Sequence, residues 1–144
     1  MIITAVDGGT TRALRQAVLR PELTLADHLP GDELPDAVHV AAVEADGTVV
    51  ATCFGYPEPC AWRPGEPAWR LRQMATAPER RGEGWGARIT EELACLAMAD
   101  GANILWCHAR EYAVPFYERC GFVPHGEGFT EHDLPHRRMW RRLG

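Results

Sequence analysis

The sequence predicts a mixed α/β domain in which a helix connects two parallel strands. Two β-rich runs, VHVAAVE and TVVATCF, are joined by Ala45-Asp46-Gly47, and Asp-Gly between such runs marks a tight hairpin. Downstream, WRLRQMAT and NILWCH read as strands on either side of one amphipathic helix. A β-α unit precedes the hairpin and an α-β unit follows the second parallel strand, so the order is β-α, hairpin, β-α-β-α-β. Parallel strands joined this way take a right-handed crossover.

Taken in order, Ile2 to Val6 is a short strand, followed by Gly8-Gly9. Thr10 or Thr11 is placed to cap a helix with Leu14, Ala17 and Val18 on its apolar face, stopped by Pro21. Residues 21 to 37 read as a loop with at most a short helical turn. After the hairpin, a proline-rich connection (Pro57, Pro59, Pro64, Pro67) leads into WRLRQMAT. Strict alternation there puts Trp69, Leu71, Gln73 and Ala75 on one face and Arg70, Arg72, Met74 and Thr76 on the other. Trp85, Ile89, Leu93, Leu96 and Ala97 recur at helical spacing, and Asp100-Gly101 ends that helix. A second helix around Pro115 to Cys120 carries its proline in the first turn and Gly121 just beyond. A final strand pair is expected around residues 121–124 and 136–143.

The 144 residues suit one domain with one core, expected to span 1–144. No apolar run approaches the roughly 20 residues that span a bilayer, and the N-terminus lacks a signal-peptide layout, so no membrane association and a cytoplasmic location are expected. The five cysteines form no C-x-x-C pair, and Cys107 and His108, adjacent on a strand, point to opposite faces. No metal site is expected, and most of these thiols read as buried small hydrophobes. The net charge of −5 disfavours nucleic acid as a partner. The basic ending HRRMWRRLG reads as the solvated face of a last strand, balanced by acids upstream.

The segment Arg81-Gly82-Glu83-Gly84-Trp85-Gly86 carries the most chemistry. Between a strand and a helix, glycines let the chain turn tightly and leave N–H groups open at a helix N-terminus, which suits phosphate. A Walker loop would need a lysine that this turn lacks. The dinucleotide fingerprint needs G-x-G-x-x-G early in a strand–helix–strand unit, whereas the spacing here is G-x-G-x-G, deep in the chain.

Arg81-x-x-Gly84-x-Gly86 resembles the pyrophosphate loop of the GNAT acetyltransferases, Q/R-x-x-G-x-G/A. About thirty residues on, AVPFYERCGF is similar to the A-x-x-F-Y-x-x-x-G-F signature of the same family, with Ala113, Phe116, Tyr117, Gly121 and Phe122 in place. The resemblance covers residues 68–124 well and the N-terminal half in element order only. The ending GEGFTEHDLPHRRMWRRL is similar to a GNAT subgroup with Pro-His before its last strand. Arg110 is a departure, because many members carry there an asparagine that helps hold the pantetheine arm.

The resemblance implies a mostly antiparallel sheet with one splayed parallel pair, flanked by helices. It implies an acetyl-CoA-dependent N-acetyltransferase acting on a primary amine of a small molecule, which Arg70 and Arg72 would make amino-acid-like if they face the pocket. The backbone of Met74, Ala75 and Thr76 would pair with the pantetheine arm, and an N–H near Met74 would polarise the thioester carbonyl. The amides of Arg81, Gly82, Glu83, Gly84, Trp85 and Gly86 would hold the pyrophosphate. An alkyl ammonium titrates near pH ~10.4, so the reaction wants a base for the amine, and the departing thiolate wants an acid. Tyr117 matches the family's usual acid. His136 is the leading base, with Glu111, His108 and ordered water as alternatives. Arg70 and Arg72 would suit an acceptor carboxylate if they face the pocket, and otherwise form a solvated sheet face. The acidic balance of the chain exerts a weak general pull on cationic amines. A non-catalytic acyl-CoA-binding module would keep the glycine turn without needing Tyr117. Trp62 and Trp69 are the residues expected to contribute to a homodimer surface.

Overall fold

The computed structural model describes residues 1–22 and 34–144. Most of the loop expected at 21–37 therefore lies outside the described residues. The strands are β1 (Ile2–Val6), β2 (Val38–Val43), β3 (Val49–Pro57), β4 (Ala68–Thr76), β5 (Ile104–Arg110), β6 (Val123–Glu131) and β7 (Leu134–Arg142). They form one sheet in the order β1-β2-β3-β4-β5-β7-β6, antiparallel at every junction except the parallel β4–β5 pair. Helices α1 (Gly8–Leu19) and α2 (Trp85–Ala99) pack on it, and α3 (Val114–Arg119) follows β5.

The β2–β3 hairpin forms where Asp46-Gly47 predicts it. Gly47 adopts φ 91°, and the Thr48 N–H donates to the Asp46 carboxylate at 2.9 Å. The stripe of α2 is also found, with Ile89, Leu93 and Ala97 fully buried against β2–β4. Truncating Leu93 in such a core costs about 2–5 kcal/mol. The helix stops at Asp100, and Gly101 at φ 93° lets the Ala102 N–H reach back to the Ala97 carbonyl at 3.0 Å.

Five readings need correction. Helix α1 starts at Gly8 behind Asp7, so Thr10 and Thr11 lie inside it. Its buried residues are Thr11 and Arg15, while Leu14 and Val18 are half-buried and Ala17 is exposed. Strict alternation also fails on β4. Thr52 pairs with Ala75 and Phe54 with Arg72, so Cys53 faces two residues, Gln73 and Met74, with Gln73 at φ 53°. This β-bulge turns Gln73 away from the side of Trp69 and Leu71 to meet Arg15 of α1.

The C-terminal hairpin is longer than expected, because His132 and Asp133, at φ 51° and 61°, make a two-residue turn between β6 and β7. Trp69 is 5% exposed and its indole donates to Asp100 at 3.2 Å, so it offers no surface to a second copy. Trp62 is half-buried and stacks on His125 at 4.9 Å.

Cys53, Cys60 and Cys107 are buried, Cys120 is half-buried and Cys95 is exposed. The basic residues of β7 meet partners: Arg137 pairs with Glu111, Arg141 with Glu91 and Arg142 with Glu66. No helix among the described residues is long and apolar enough to cross a membrane.

Candidate active site

Strands β4 and β5 pair over only three positions, Ala68 with Ile104, Trp69 with Leu105 and Arg70 with Trp106. Beyond them β4 runs on to Thr76 and β5 to Arg110 without pairing to each other, so the sheet splits. A cavity of about 680 Å³ occupies the split. The backbone groups of β4 that face it beyond Arg70 have no strand partner, which is an edge an extended ligand can complete.

One wall of the cavity is the glycine turn. Gly82 and Gly84 adopt φ 82° and 87°, a region L side chains rarely occupy, and Gly84 is the N-cap of α2. Gly86 is required for a different reason, since a Cβ there would stand 3.1 Å from the ring of Phe116 on α3. The first turn-to-helix backbone bond runs from the Arg88 N–H to the Gly84 carbonyl, and among the described residues the N–H groups of 82–87 donate to no backbone carbonyl. Together with Arg80, Arg81 and Arg119 they form a wall suited to phosphate.

Of the residues expected to hold the cofactor, Met74, Ala75, Thr76, Arg81, Gly82, Gly84, Trp85 and Gly86 line this cavity. Glu83 is in the turn but not in the lining. Its carboxylate instead accepts from Arg80 Nε at 2.9 Å and from the Trp85 indole at 2.9 Å, bracing the turn from behind. Arg80, which also pairs with Glu44, lines the cavity and no motif singled it out.

Tyr117 lines the same cavity at 5% exposure, its ring edge-on to Phe116 and Phe122. Burial raises its phenol well above the usual range, so it keeps its proton at neutral pH.

The opposite wall is built on α1, β4, β5 and the β6–β7 turn. His108 Nδ1 lies 2.9 Å from Glu131 Oε2 and 3.3 Å from Arg70 Nη2. The shorter contact assigns the Nδ1 proton to the bond with Glu131, which leaves Nε2 as the lone-pair nitrogen. Burial lowers the His108 pKa and Arg70 lowers it further, against the upward pull of Glu131. Burial alone would raise Glu131, but its bond from His108 and the charges of His108, His136 and Arg70 hold it below the usual carboxylate range.

His136 also lines the cavity at 6% exposure, and its Nδ1 donates to the Leu134 carbonyl at 2.9 Å. Glu111 is absent from the lining and pairs instead with Arg137 at 3.1 Å. Arg110, the departure noted above, turns to α1, where it donates to the Leu19 carbonyl at 3.0 Å. Arg70 and Arg72 both line the cavity rather than forming a solvated face, but the bulge separates them from the side that Met74 shares with the core. Glu131 was missed by sequence reasoning because its place depends on the unforeseen turn at His132-Asp133.

A model of the Acetyltransferase (GNAT) domain matches residues 36–124. The chain is 25% identical to an uncharacterized N-acetyltransferase, YitI, of Bacillus subtilis (strain 168), over 87% of this chain and 82% of that one. A solved aminoglycoside 6'-N-acetyltransferase complexed with coenzyme A superposes with a TM-score of 0.80 at 18% identity, over 99% of this chain and 97% of the other. An acyl-CoA N-acyltransferase from Pseudomonas aeruginosa superposes at 0.74 with 23% identity, over 97% and 98% of the two chains.

Proposed function

Since the chain belongs to the GNAT acetyltransferase family and is an acetyl-CoA-dependent acetyltransferase, we propose that it acetylates the primary amine of a small, amino-acid-like molecule by direct attack. The observation that carries this reading is the split between β4 and β5, with an unpaired strand edge on one side and a glycine turn at its end. In this reading the Met74–Thr76 backbone completes a strand-like pairing with the pantetheine arm, and an N–H near Met74 polarises the thioester carbonyl. The N–H groups of 82–86 take the pyrophosphate, the Arg81 N–H being engaged by the Pro78 carbonyl at 3.4 Å. Glu83 contributes through its backbone, its carboxylate being turned to Arg80 and Trp85.

The acceptor nitrogen forms a bond to the acetyl carbon as the carbon–sulfur bond breaks. Tyr117 gives its proton to the departing sulfur, a role supported by a buried, neutral phenol in the cavity wall. The amine proton goes to a histidine on the opposite wall. His136 and His108 both line it, and His108 is favoured because Glu131 fixes its tautomer and burial keeps it neutral. His136, with its Nδ1 held by the Leu134 carbonyl, stands as the second base.

The test is thiol release from acetyl-CoA in the presence of a panel of small primary amines, with the acetylated product identified by mass. Thiol release that depends on an amine supports the reading. A folded protein that binds acetyl-CoA yet releases no thiol with any amine would favour the non-catalytic acyl-CoA-binding module instead.

A further inference from the structure

The charge of the cavity is opposite to that of the chain. Among the described residues, eight arginines line it against one carboxylate, Glu131, in a protein of net charge −5. Arg80, Arg81 and Arg119 stand by the glycine turn and α3, where phosphates accord with them. The other five, Arg15, Arg20, Arg70, Arg72 and Arg110, lie on the α1 side, away from the turn.

Four of these five are held by the protein. Arg15 bonds Thr11, Gln73 and the Gly8 carbonyl. Arg20 pairs with Glu22. Arg70 pairs with Glu58 at 3.3 Å and lies 4.8 Å over the Trp106 ring. Arg110 donates to the Leu19 carbonyl, and, after the bond from Arg20, its charge helps to hold the nearby Glu22 carboxylate below the usual range. Arg72 alone makes no hydrogen bond and no ion pair among the described residues, although it is half-buried in the cavity wall. A charge taken part of the way out of water without a counter-charge is costly unless something supplies one.

We propose that Arg72 is the receptor for a carboxylate on the acceptor, with Arg110 adding to the field, so that this enzyme selects anionic amines. The inference rests on the transferase reading above and deepens it. Arg72 lies immediately before the bulge at Gln73-Met74, so a molecule anchored there presents a nearby amine toward the thioester site. A planar guanidinium with free N–H groups takes a carboxylate in two parallel hydrogen bonds. The same wall repels polycations, so an aminoglycoside is a poor acceptor here despite the likeness of fold to enzymes that acetylate such molecules. The overall negative charge of the chain therefore does not set acceptor choice; the local field of the cavity does.

The experiment compares kcat/KM for L-amino acids and for their carboxamides, which keep the amine and side chain but lack the carboxylate, and includes kanamycin as a polycation. It is run on the full chain with acetyl-CoA, for wild type, Arg72→Gln and Arg72→Lys. The expected result is a preference for the acid over its carboxamide of about ten- to a hundredfold in wild type. Arg72→Gln brings that ratio close to one and Arg72→Lys restores part of it, while both variants keep acetyl-CoA affinity as the check on folding. The proposal is overturned if no carboxylate-bearing amine is acetylated faster than its carboxamide, if kanamycin is preferred, or if Arg72→Gln leaves the ratio unchanged. In each of these cases, retained binding of acetyl-CoA and acetylation of some other amine leave the transferase reading standing.

Discussion

The two walls of the cleft present different kinds of chemistry. On the α2 side the groups offered to a ligand are largely main-chain: the unpaired edge of β4 and the N–H groups of 82–87, opened by glycines at positive φ. On the α1 side they are side chains carried by separate elements: Arg72 from β4, His108 from β5, Glu131 from the end of β6 and His136 from β7. A backbone wall recognises what every acyl-CoA shares, and it depends on a few conformations. A side-chain wall, in the proposed reading, selects the acceptor, and side chains of this kind vary without altering a fold. Substitutions on the two walls should accordingly separate cofactor affinity from acceptor chemistry.

The largest effect is expected on the backbone wall. Gly84→Asp places an L side chain at φ 87°, at a strain of about 1–2 kcal/mol, and sets a carboxylate where phosphate is to bind. Acetyl-CoA affinity measured by calorimetry should fall at least about a hundredfold. Next comes the proposed base. His108→Gln should lower kcat/KM by about a hundredfold or more with acetyl-CoA affinity retained.

The pH profile sharpens that assignment. A base works when deprotonated, so kcat/KM should fall on the acid side as His108 takes up a proton. Burial and Arg70 place that limb below the usual histidine value of about 6.5. Glu131 pulls the pKa upward, so Glu131→Gln should move the limb to lower pH while reducing the rate. A limb that is unchanged in His108→Gln and disappears in His136→Gln would transfer the role to His136. Tyr117→Phe should reduce kcat by about tenfold to a hundredfold with little change in KM. The smallest effect belongs to Glu111→Gln. It removes a half-exposed ion pair with Arg137, worth about 0–1 kcal/mol, and should change activity less than about twofold.

The contrast between the walls also explains what the sequence disclosed. A φ-positive turn at a helix N-terminus admits few residues, so Gly82 and Gly84, with Gly86 packed against Phe116, mark the proposed cofactor wall within six positions. The same economy made the hairpin at Asp46-Gly47, the α2 stripe and the parallel pair legible. The inner face of α1 was misread because Thr11 and Arg15, not its apolar residues, face the sheet, and hydrophobic periodicity cannot register a buried polar face. The bulge at Gln73-Met74 was invisible for a related reason. Neither residue is a glycine or a proline, and the extra residue is apparent only against Cys53 across the ladder. Glu131 reaches His108 only because His132 and Asp133 turn the hairpin without a glycine, so no local pattern could have linked them.

The proposed division of one cleft into a backbone-built cofactor wall and a side-chain-built acceptor wall means that substitutions on the two act separately. It is tested most directly by titrating wild type, Gly84→Asp and Arg72→Gln with acetyl-CoA in one calorimetric series. Binding by wild type and Arg72→Gln alike, with loss confined to Gly84→Asp, is the predicted outcome. Equal loss in both variants, or no binding by folded wild type, would contradict it.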